Sequence, residues 1–501
     1  MVSVPSGVKI VSVEATGDEL ATAPRRIMIM GAHPDDEALL GAGIIKRALD
    51  SGDDVYILMG TSGDYNGRED SGSGGQARMR ETLAAMSYLG VFRGNIFFLN
   101  FPDTGGLDEF GMTGNGNYYA GSSLYRLFMN EDPYEIVEGQ RSGETKTYNG
   151  TVPGTQSYYE RFFGMQVDYN RSNFLMGLQD AIDRVRPDDI YTTSRYDLHG
   201  DHAAFGLFVT EAIVNLRRMD PNYSPLMHET FVHSCGSDLI NSATAWPKNN
   251  IGKPFEYPTG LDERTIVDWN RRVSITVPEV MQSTSKDFNM KYQSILKYPS
   301  QDAGWITYFS RYDEFFWMRN FENLALLADV AASSQLSAAR EAAKAIDGIA
   351  DGESTSLRDN VPNSTSSYIR SDHPDRYPTA EWVSNNEGAG AWLSLEWSSE
   401  VMVDYVVLYG RPKAGENITS GKLTFSDGAV LPVGELPADG RPLTVKLPAR
   451  KTITGLTFEV VECTGTATGL AEIEVYGDAI PMDKSILLSM NGLQTFPSKP
   501  L

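Results

Sequence analysis

Short apolar segments alternate with amphipathic segments along the first half of the chain. Residues 25–30 (RRIMIM), 54–60 (DVYILMG) and 95–101 (NIFFLNF) have the length and apolar character of buried strands. The intervening segments, ALLGAGIIKRAL and ARMRETLAAMSYLGV, carry apolar residues at helical spacing. Because strands that are joined through helices run parallel in one sheet, this alternation predicts a mostly parallel α/β sheet with helices on both faces.

The alternation continues after a long irregular stretch. Residues 104–168 are rich in Gly, Tyr and Asn, which predicts an insertion over the sheet. A helical segment (FLMGLQDAIDRVRP), a fourth strand at 188–194 (DDIYTTS) and a helix at 201–218 follow. Further helical patterns occur near 280–297 and 314–330. Ligands of such sheets gather at the carboxyl ends of the strands, so a functional site is expected in the segments after the first and fourth strands.

Both of these segments carry histidine and acidic residues. The first strand ends in Ala-His-Pro-Asp-Asp-Glu at 32–37, and the fourth is followed by Tyr-Asp-Leu-His-Gly-Asp-His at 196–202. A catalytic divalent metal, zinc above all, takes three N or O ligands from the protein and keeps one position for water. His33, Asp36 and His202 supply such a set, which leaves Asp35 to act as a base.

The acids after His33 have a second interpretation. Taken alone, they fit a capped helix start equally well, because acidic side chains stabilise a helix N-terminus. The paired histidines of the later loop, in a topologically equivalent place, favour the metal interpretation. Iron, cobalt or nickel would suit the same ligand types as zinc.

These motifs resemble those of the PIG-L or LmbE-type zinc-dependent N-deacetylases, a family with a Rossmann-like fold. The family's A-H-P-D-D-E stands intact, and its later H-P-D-H motif stands here as H-G-D-H, with Gly200 in place of Pro. A middle element, R-x-x-E before a helix that ends in Leu-Gly, matches Arg78 and Glu81. The resemblance covers roughly residues 25–235, apart from the insertion.

The resemblance implies a role for each matching residue. It makes His33, Asp36 and His202 the ligands of one catalytic Zn²⁺ and Asp35 the general base. His199 would stabilise the oxyanion. Asp201 would contact a metal-binding side chain without binding the metal itself.

Three further residues are expected at the substrate, each with a structural alternative. The family resemblance places Arg78 near the substrate, although an Arg at a helix start can equally form a salt bridge. Asp103, in Phe-Pro-Asp-Thr-Gly-Gly, resembles a recurrent acid of the family, but it also fits a turn before Gly. His233 lies in a strand-like segment and could face the cleft, whereas a lone His in a strand is more often hydrogen-bonded in the core.

The composition changes near residue 330. Short alternating segments separated by turn residues, such as AWLSLEW, MVDYVVLYGRP and AEIEVYG, predict an antiparallel β-sandwich. This part resembles a discoidin or F5/8 type C module, a galactose-binding-like jelly roll found in carbohydrate-binding modules. The resemblance brings a structural Ca²⁺ into consideration, with Asp347 as its candidate ligand. We expect a deacetylase domain at 1–329, the sandwich at 330–480 and a tail at 481–501.

The net charge and the composition limit the classes of partner that the chain can bind. A net charge of -23 argues against nucleic acid and anionic membrane surfaces. No apolar run approaches the roughly 18 residues of a membrane span, and two cysteines make no disulfide framework. The start of the chain does not have the pattern of a signal peptide. The acidic composition, the scarce cysteine and the sugar-type module favour an extracellular enzyme whose leader is missing over a cytoplasmic one.

The predicted function is metal-dependent hydrolysis of the N-acetyl group of an N-acetylglucosamine-type amino sugar or glycan. Two alternatives stay open. The chain could be a non-catalytic carbohydrate-binding protein whose front domain is a relict, or an amidase that acts on a non-sugar N-acyl substrate. The intact Asp35 favours an enzyme, since a relict would be expected to lose the base. The oligomeric state does not follow from the sequence.

Overall fold

The structure, a computed structural model, places two sheets along the chain. It describes residues 24–64, 73–103, 123–128, 130, 132–139, 142–195, 197, 199–232, 251–254, 272–301, 306–319, 321–337, 340–348 and 381–479. The predicted substrate residue His233 and the predicted tail lie outside the described residues.

The first sheet is mostly parallel, as the sequence predicts. Within the described part of the chain it consists of β1 (Arg26–Gly31), β2 (Asp54–Thr61), β3 (Ile96–Phe101), β4 (Asp189–Thr193), β5 (Leu226–Thr230), β6 (Val273–Thr276) and β7 (Asp313–Arg319). Their order in the sheet is β3-β2-β1-β4-β5-β7-β6. The first five strands are parallel, whereas β7 is antiparallel to both β5 and β6.

Helices cover both faces of this sheet. They are α1 (Asp36–Ser51), α2 (Ser73–Leu89), α3 (Ser123–Phe128), α4 (Tyr158–Phe163), α5 (Arg171–Val185), α6 (Gly200–Met219) and α7 (Met290–Ile295). Ile27 and Ile29 of β1 pack into the same core as α1 and α2, while Met28 and Met30 pack into the core of α5 and α6. Both faces of β1 are therefore buried, which explains its continuous apolar sequence. The predicted Rossmann-like sheet is confirmed.

The predicted helix at 314–330 is wrong. Asp313–Arg319 forms β7, and Leu324–Leu327 forms a short 3-10 turn. The edge of β5 offers backbone groups that need partners, and β7 pairs with it at Met227↔Arg319 and Glu229↔Trp317. Tertiary pairing therefore overrides the helical pattern. In the other predicted stretch, near 280–297, the α-helical part is limited to α7.

Helix α1, which carries the acidic motif, is interrupted at Gly41, where φ is -146° and ψ is 26°. The amides of Gly43 and Ile44 beyond the break donate to the carboxylate of Glu314 at 2.8 and 3.0 Å. A Cβ on Gly43 would lie 2.7 Å from Val277 and 2.9 Å from that carboxylate, so a larger residue there would displace these side chains. The buried Lys291 ammonium donates to Glu314 Oε1, the oxygen that also accepts the Gly43 amide, and neutralises the carboxylate. Glu314 thus acts as the N-cap of the second part of α1.

The second sheet is antiparallel throughout the described residues. Its strands are β8 (Asp329–Ala332), β9 (Trp382–Val383), β10 (Trp392–Gly410), β11 (Ile418–Phe425), β12 (Val430–Val433), β13 (Pro442–Cys463) and β14 (Gly469–Ala479). The long strands β10 and β13 pair with shifts of register on both sides of Val401 and Val403, where the ladder can bend. They enclose one core around Trp382 and Leu393. The predicted C-terminal antiparallel β-sandwich is confirmed.

The sandwich contacts the first sheet's domain near the end of β4. Arg195 donates to the backbone carbonyl of Asp347 at 3.3 Å, and its guanidinium lies 3.9 Å from the Asp347 carboxylate. Val214 of α6 packs against the core of the sandwich, to which Leu324 and Ala325 also contribute. The exact domain limits at 329 and 480 stay predictions. Among the described helices, none combines the length and apolar character that a bilayer crossing requires.

Glu314→Gln should lower the free energy of unfolding by about 3–5 kcal/mol, because it leaves the buried Lys291 charge without its partner. Equilibrium unfolding in urea measures the change. Asp50→Asn on the same helix removes an exposed ion pair with Lys46 and should cost less than about 0.5 kcal/mol. Equal effects of the two substitutions would contradict the role of Glu314 as the partner of the buried Lys291.

Candidate metal centre and catalytic site

The candidate site lies where β1 and β4 end side by side. These two strands pair directly, although the chain visits β2 and β3 between them. The strand order reverses at this point, which leaves a crevice outside the carboxyl ends of the strands. His33 follows β1 and the segment 197–202 follows β4, so the fold itself brings the two motif-bearing loops together.

Three potential ligand side chains converge in this crevice. His33 Nδ1 lies 3.1 Å from His202 Nε2, and Asp36 Oδ1 lies 3.2 Å from the same His202 nitrogen. The second oxygen, Asp36 Oδ2, lies 3.8 Å from His33 Nδ1. All three residues are buried, and one ligand atom from each falls within 4.8 Å of the others. Two imidazole nitrogens and one carboxylate directed at a common point fit a divalent cation of the zinc class.

Neighbouring charges shift the pKa values of the side chains in this cluster. Burial alone would raise the pKa of Asp36, but His202 and His33 together hold it well below its usual range. Burial alone would lower the pKa of His202, but the neighbouring Asp36 and Asp197 raise it to about 9. The cluster therefore favours an ionised carboxylate beside a positive charge. A metal ion would supply that positive charge in place of the protons on the imidazolium rings.

Carboxylates stand behind both imidazoles. Asp197 Oδ2 lies 3.4 Å from His202 Nδ1, and the two Asp197 oxygens accept the amides of Val232 at 2.8 Å and His199 at 2.9 Å. On the other ring, His33 Nε2 lies 3.2 Å from Asp201 Oδ2. Such partners fix the orientation of a metal-binding ring. The sequence analysis missed Asp197, although its place in the loop after β4, two residues before His199, was a usable signal.

Asp35 occupies a strained backbone position beside this cluster. Its φ of 140° and ψ of -28° lie outside the regions that L-residues ordinarily adopt, and its side chain makes no capping hydrogen bond to α1. The carboxylate instead lies 3.0 Å from the Arg78 guanidinium. Burial raises the pKa of Asp35 to about 7, against the opposing effect of Arg78. A carboxylate of this kind can accept a proton near neutral pH.

Arg78 is nine-tenths buried beneath the same loop. It donates to the carbonyl of Pro34 from Nε at 3.2 Å and from Nη2 at 2.8 Å, and to the carbonyl of Gly63 at 3.2 Å. The structure thus shows the ion pair that the sequence analysis gave as the alternative to a substrate contact. A direct contact of Arg78 with substrate stays a prediction.

His199 stands at the start of α6, next to the three converging side chains. Its ring centroid lies 4.9 Å from that of His33 and 4.7 Å from that of His202. His199 Nδ1 accepts the amide of Asp201 at 3.2 Å, so the neutral ring carries its proton on Nε2. The Asp201 carboxylate accepts the amide of Leu124 at 2.6 Å and contacts the His33 ring, which makes it a partner of His33.

Asp103 reaches the same cluster from the end of β3. One of its oxygens lies 3.6 Å from His33 Nε2 and the other lies 3.9 Å from Arg78. Its amide donates to Asp64 at 2.7 Å, and Asp64 also accepts the hydroxyl of Tyr148 at 2.6 Å. Tyr148 belongs to the predicted insertion at 104–168, so part of that segment supports the site. The sequence analysis identified neither Asp64 nor Tyr148.

His228 lies away from the site. It is buried in β5, its Nε2 pairs with Asp189 at 2.9 Å, and its ring stacks on Tyr191 with centroids 4.2 Å apart. It therefore has the structural role that is usual for a lone histidine in a strand.

Two family models match the chain. Residues 28–213 match the PIG-L family, described as GlcNAc-PI de-N-acetylase, and residues 323–476 match a family described only as a domain of unknown function. The first match contains all the described residues of the candidate site.

Among curated proteins, the chain resembles 1D-myo-inositol 2-acetamido-2-deoxy-alpha-D-glucopyranoside deacetylase of Rhodococcus opacus (strain B4). The two are 34% identical over 123 residues, which are 23% of this chain and 39% of the relative. The chain therefore matches well under half of that relative's length.

Solved structures resemble each half of the chain. N,N'-diacetylchitobiose deacetylase from Pyrococcus horikoshii is 15% identical, with a TM-score of 0.33, over 59% of this chain and 84% of that one. The family 32 carbohydrate-binding module of NanJ from C. perfringens is 16% identical, with a TM-score of 0.23, over 30% of this chain and 96% of that one.

Asp197→Asn should weaken Zn²⁺ binding by about 10- to 100-fold, because the His202 ring loses the carboxylate that orients it. Competition with a chromophoric chelator measures the affinity. Asp189→Asn is the matched control, since it alters another buried Asp–His pair outside the site and should leave Zn²⁺ affinity unchanged. An unaltered affinity in Asp197→Asn would contradict its role behind His202.

Proposed function

We propose, from the match of residues 28–213 to the PIG-L family, that the chain is a metal-dependent N-acetyl-sugar deacetylase. Its substrate would be an N-acetylglucosamine-type amino sugar or glycan. The convergence of His33, Asp36 and His202 beside a buried Asp35 supports this proposal most directly. The family match supports amide hydrolysis on a glucosamine unit, while the larger substrate is an inference from the whole chain.

His33, Asp36 and His202 would hold one divalent ion, with Zn²⁺ the best match to two imidazoles and one carboxylate. Such an ion lowers the pKa of a water molecule and polarises the amide carbonyl when it is bound. Asp197 and Asp201 keep the two rings oriented from behind, and the buried surroundings keep bulk water away from the ligands.

Asp35 would serve as the general base and then as the general acid. Its carboxylate takes a proton from the attacking water, and it returns a proton to the nitrogen of the leaving amine. Arg78 keeps the carboxylate oriented, and its positive charge opposes the effect of burial on the pKa of Asp35. The acetyl C–N bond breaks, and acetate and a free amine are the products.

His199 would stabilise the negative charge that develops on the carbonyl oxygen. With Nδ1 accepting the Asp201 amide, the Nε2–H group is the donor that the ring can offer. The ring is held at the start of α6 and needs little rearrangement during the reaction. Asp103 lies at the same mouth of the sheet, where it could contact a substrate hydroxyl or act through His33.

The sandwich would bind a larger glycan and bring it to the site. The docking of Asp347 against Arg195, two residues before Asp197, joins this module to the catalytic loop. A structural Ca²⁺ is part of the proposal: the fully buried Glu472 carboxylate accepts the amide of Gly348 at 3.1 Å, next to Asp347, and Asp347 raises the pKa of Glu472 in addition to the effect of burial. We also propose an extracellular setting for an enzyme of this architecture.

The direct test is release of acetate from N-acetylglucosamine oligomers, with and without a chelator. We expect release that chelation abolishes and added Zn²⁺ restores. Glycan binding without acetate release would favour the non-catalytic alternative, and release only from non-sugar N-acyl compounds would favour an amidase.

Asp35→Asn should retain bound metal and lower kcat by about 100- to 10,000-fold, because the amide cannot accept the proton of water. Metal content by elemental analysis and acetate release together measure the effect. Asp404→Asn, a change on the exposed surface of the sandwich, is the control and should keep full activity. Near-normal kcat in Asp35→Asn would exclude Asp35 as the base.

His199→Gln should reduce kcat by about 100- to 1000-fold with little change in KM, because the lost donor acts mainly on the transition state. Steady-state acetate release separates the two constants. His228→Gln, which alters a buried histidine outside the site, should leave both constants near the parent values. An equal loss in the two variants would point to damaged folding and not to a lost oxyanion donor.

A further inference from the structure

Tyr298 approaches the catalytic loop from a part of the chain that the PIG-L match does not cover. It follows α7, and α7 packs against α1 and α2 on the outer side of the sheet. Its side chain is fully buried, and its hydroxyl donates to the carboxylate of Glu37. The last acid of the Ala-His-Pro-Asp-Asp-Glu motif is thus held from a segment 85 residues beyond the match, which ends at residue 213.

Glu37 connects this hydroxyl to the backbone of Asp35. Oxygen Oε1 of Glu37 accepts from Tyr298, and Oε2 accepts the Asp35 amide at 3.0 Å. Glu37 has no exposed surface, so water cannot replace either donor without opening the core. Loss of the Tyr298 hydroxyl would therefore remove a donor from a buried carboxylate oxygen and favour a rotation of the Glu37 side chain.

The contact matters because Asp35 occupies the N-cap position of α1, but its side chain makes no hydrogen bond to the first amides of that helix. An ordinary N-cap Asp turns its own carboxylate onto the first amides of the helix. Asp35 makes no such bond, and its positive φ directs the side chain toward Arg78 and the candidate metal ligands. Glu37 instead reaches back to the N-cap amide from the second position of the helix, and so helps to hold the strained conformation.

We propose that Tyr298 is a positioning residue for Asp35, which it holds in its strained conformation through Glu37. The inference rests on the proposed function only in naming Asp35 as the base. The conformational part, that Tyr298 restrains the backbone of Asp35, is independent of any activity.

The test compares Tyr298→Phe with Tyr158→Phe. Each removes one buried tyrosine hydroxyl that donates to a carboxylate, but Tyr158 pairs with Asp180 of α5, away from the site. Amide hydrogen exchange over residues 32–40 reports the backbone directly, and steady-state acetate release reports kcat and KM. We expect faster exchange and a kcat at least about 10-fold lower in Tyr298→Phe alone, with KM and Zn²⁺ content unchanged.

Exchange and kcat that match those of Tyr158→Phe would overturn the inference, and so would an unchanged kcat by itself. If the parent protein releases no acetate from any substrate, the proposed function fails, and exchange over 32–40 alone decides the role of Tyr298. If Tyr298→Phe does not fold, Glu37→Gln provides the second measurement. It should accelerate exchange at the same segment, and unchanged exchange there would overturn the inference.

Discussion

The architecture of the site depends on burying several carboxylates around two imidazoles and one guanidinium. Isolated buried charges are expensive, so each acid here is compensated by a defined partner. Asp36 faces His202, Asp201 faces His33, and Asp35 faces Arg78. Removing the partner of any one acid would leave a charge that the dry crevice cannot solvate. The charged groups of the cluster therefore depend on one another, and a bound cation would complete the charge balance of the cluster.

The cluster is assembled by elements that lie far apart in the chain. The pairing of β1 with β4 brings the first and second motifs together. Segments outside these motifs then fix the details: Glu314 of β7 caps the broken helix α1, and Tyr148 supports Asp64 beneath Asp103. The geometry of the acidic motif is consequently a property of the whole first domain, including parts after residue 213. Variation in those later segments would change how the motif is held while leaving the motif itself intact.

The two domains are in direct contact, so the sandwich is more than a module that is tethered to the first domain. Arg195 stands between the end of β4 and Asp197, and it reaches the loop of the sandwich that contains Asp347. The Arg195 charge lies near one buried acid of each domain, Glu229 of β5 and Glu472 of β14. The segment that leads to His202 begins here, so the sandwich contacts the chain directly before the candidate site.

The sequence by itself determined the parallel part of the α/β sheet, the antiparallel sandwich and most, but not all, of the acids and histidines at the mouth of the sheet. Those features follow from local periodicity and from acids and histidines placed directly after strands, which neighbouring residues suffice to specify. Only the tertiary structure decided that 313–319 is a strand, since the open edge of β5 imposes that pairing. It also decided which carboxylate stands behind which ring: Asp197 behind His202, and Asp201 behind His33. The partners of Glu37 and α1, Tyr298 and Glu314, come from more than 250 residues away. Contacts of that span carry no signal in spacing, because they depend on how helices and strands pack and not on the order of residues within any one of them.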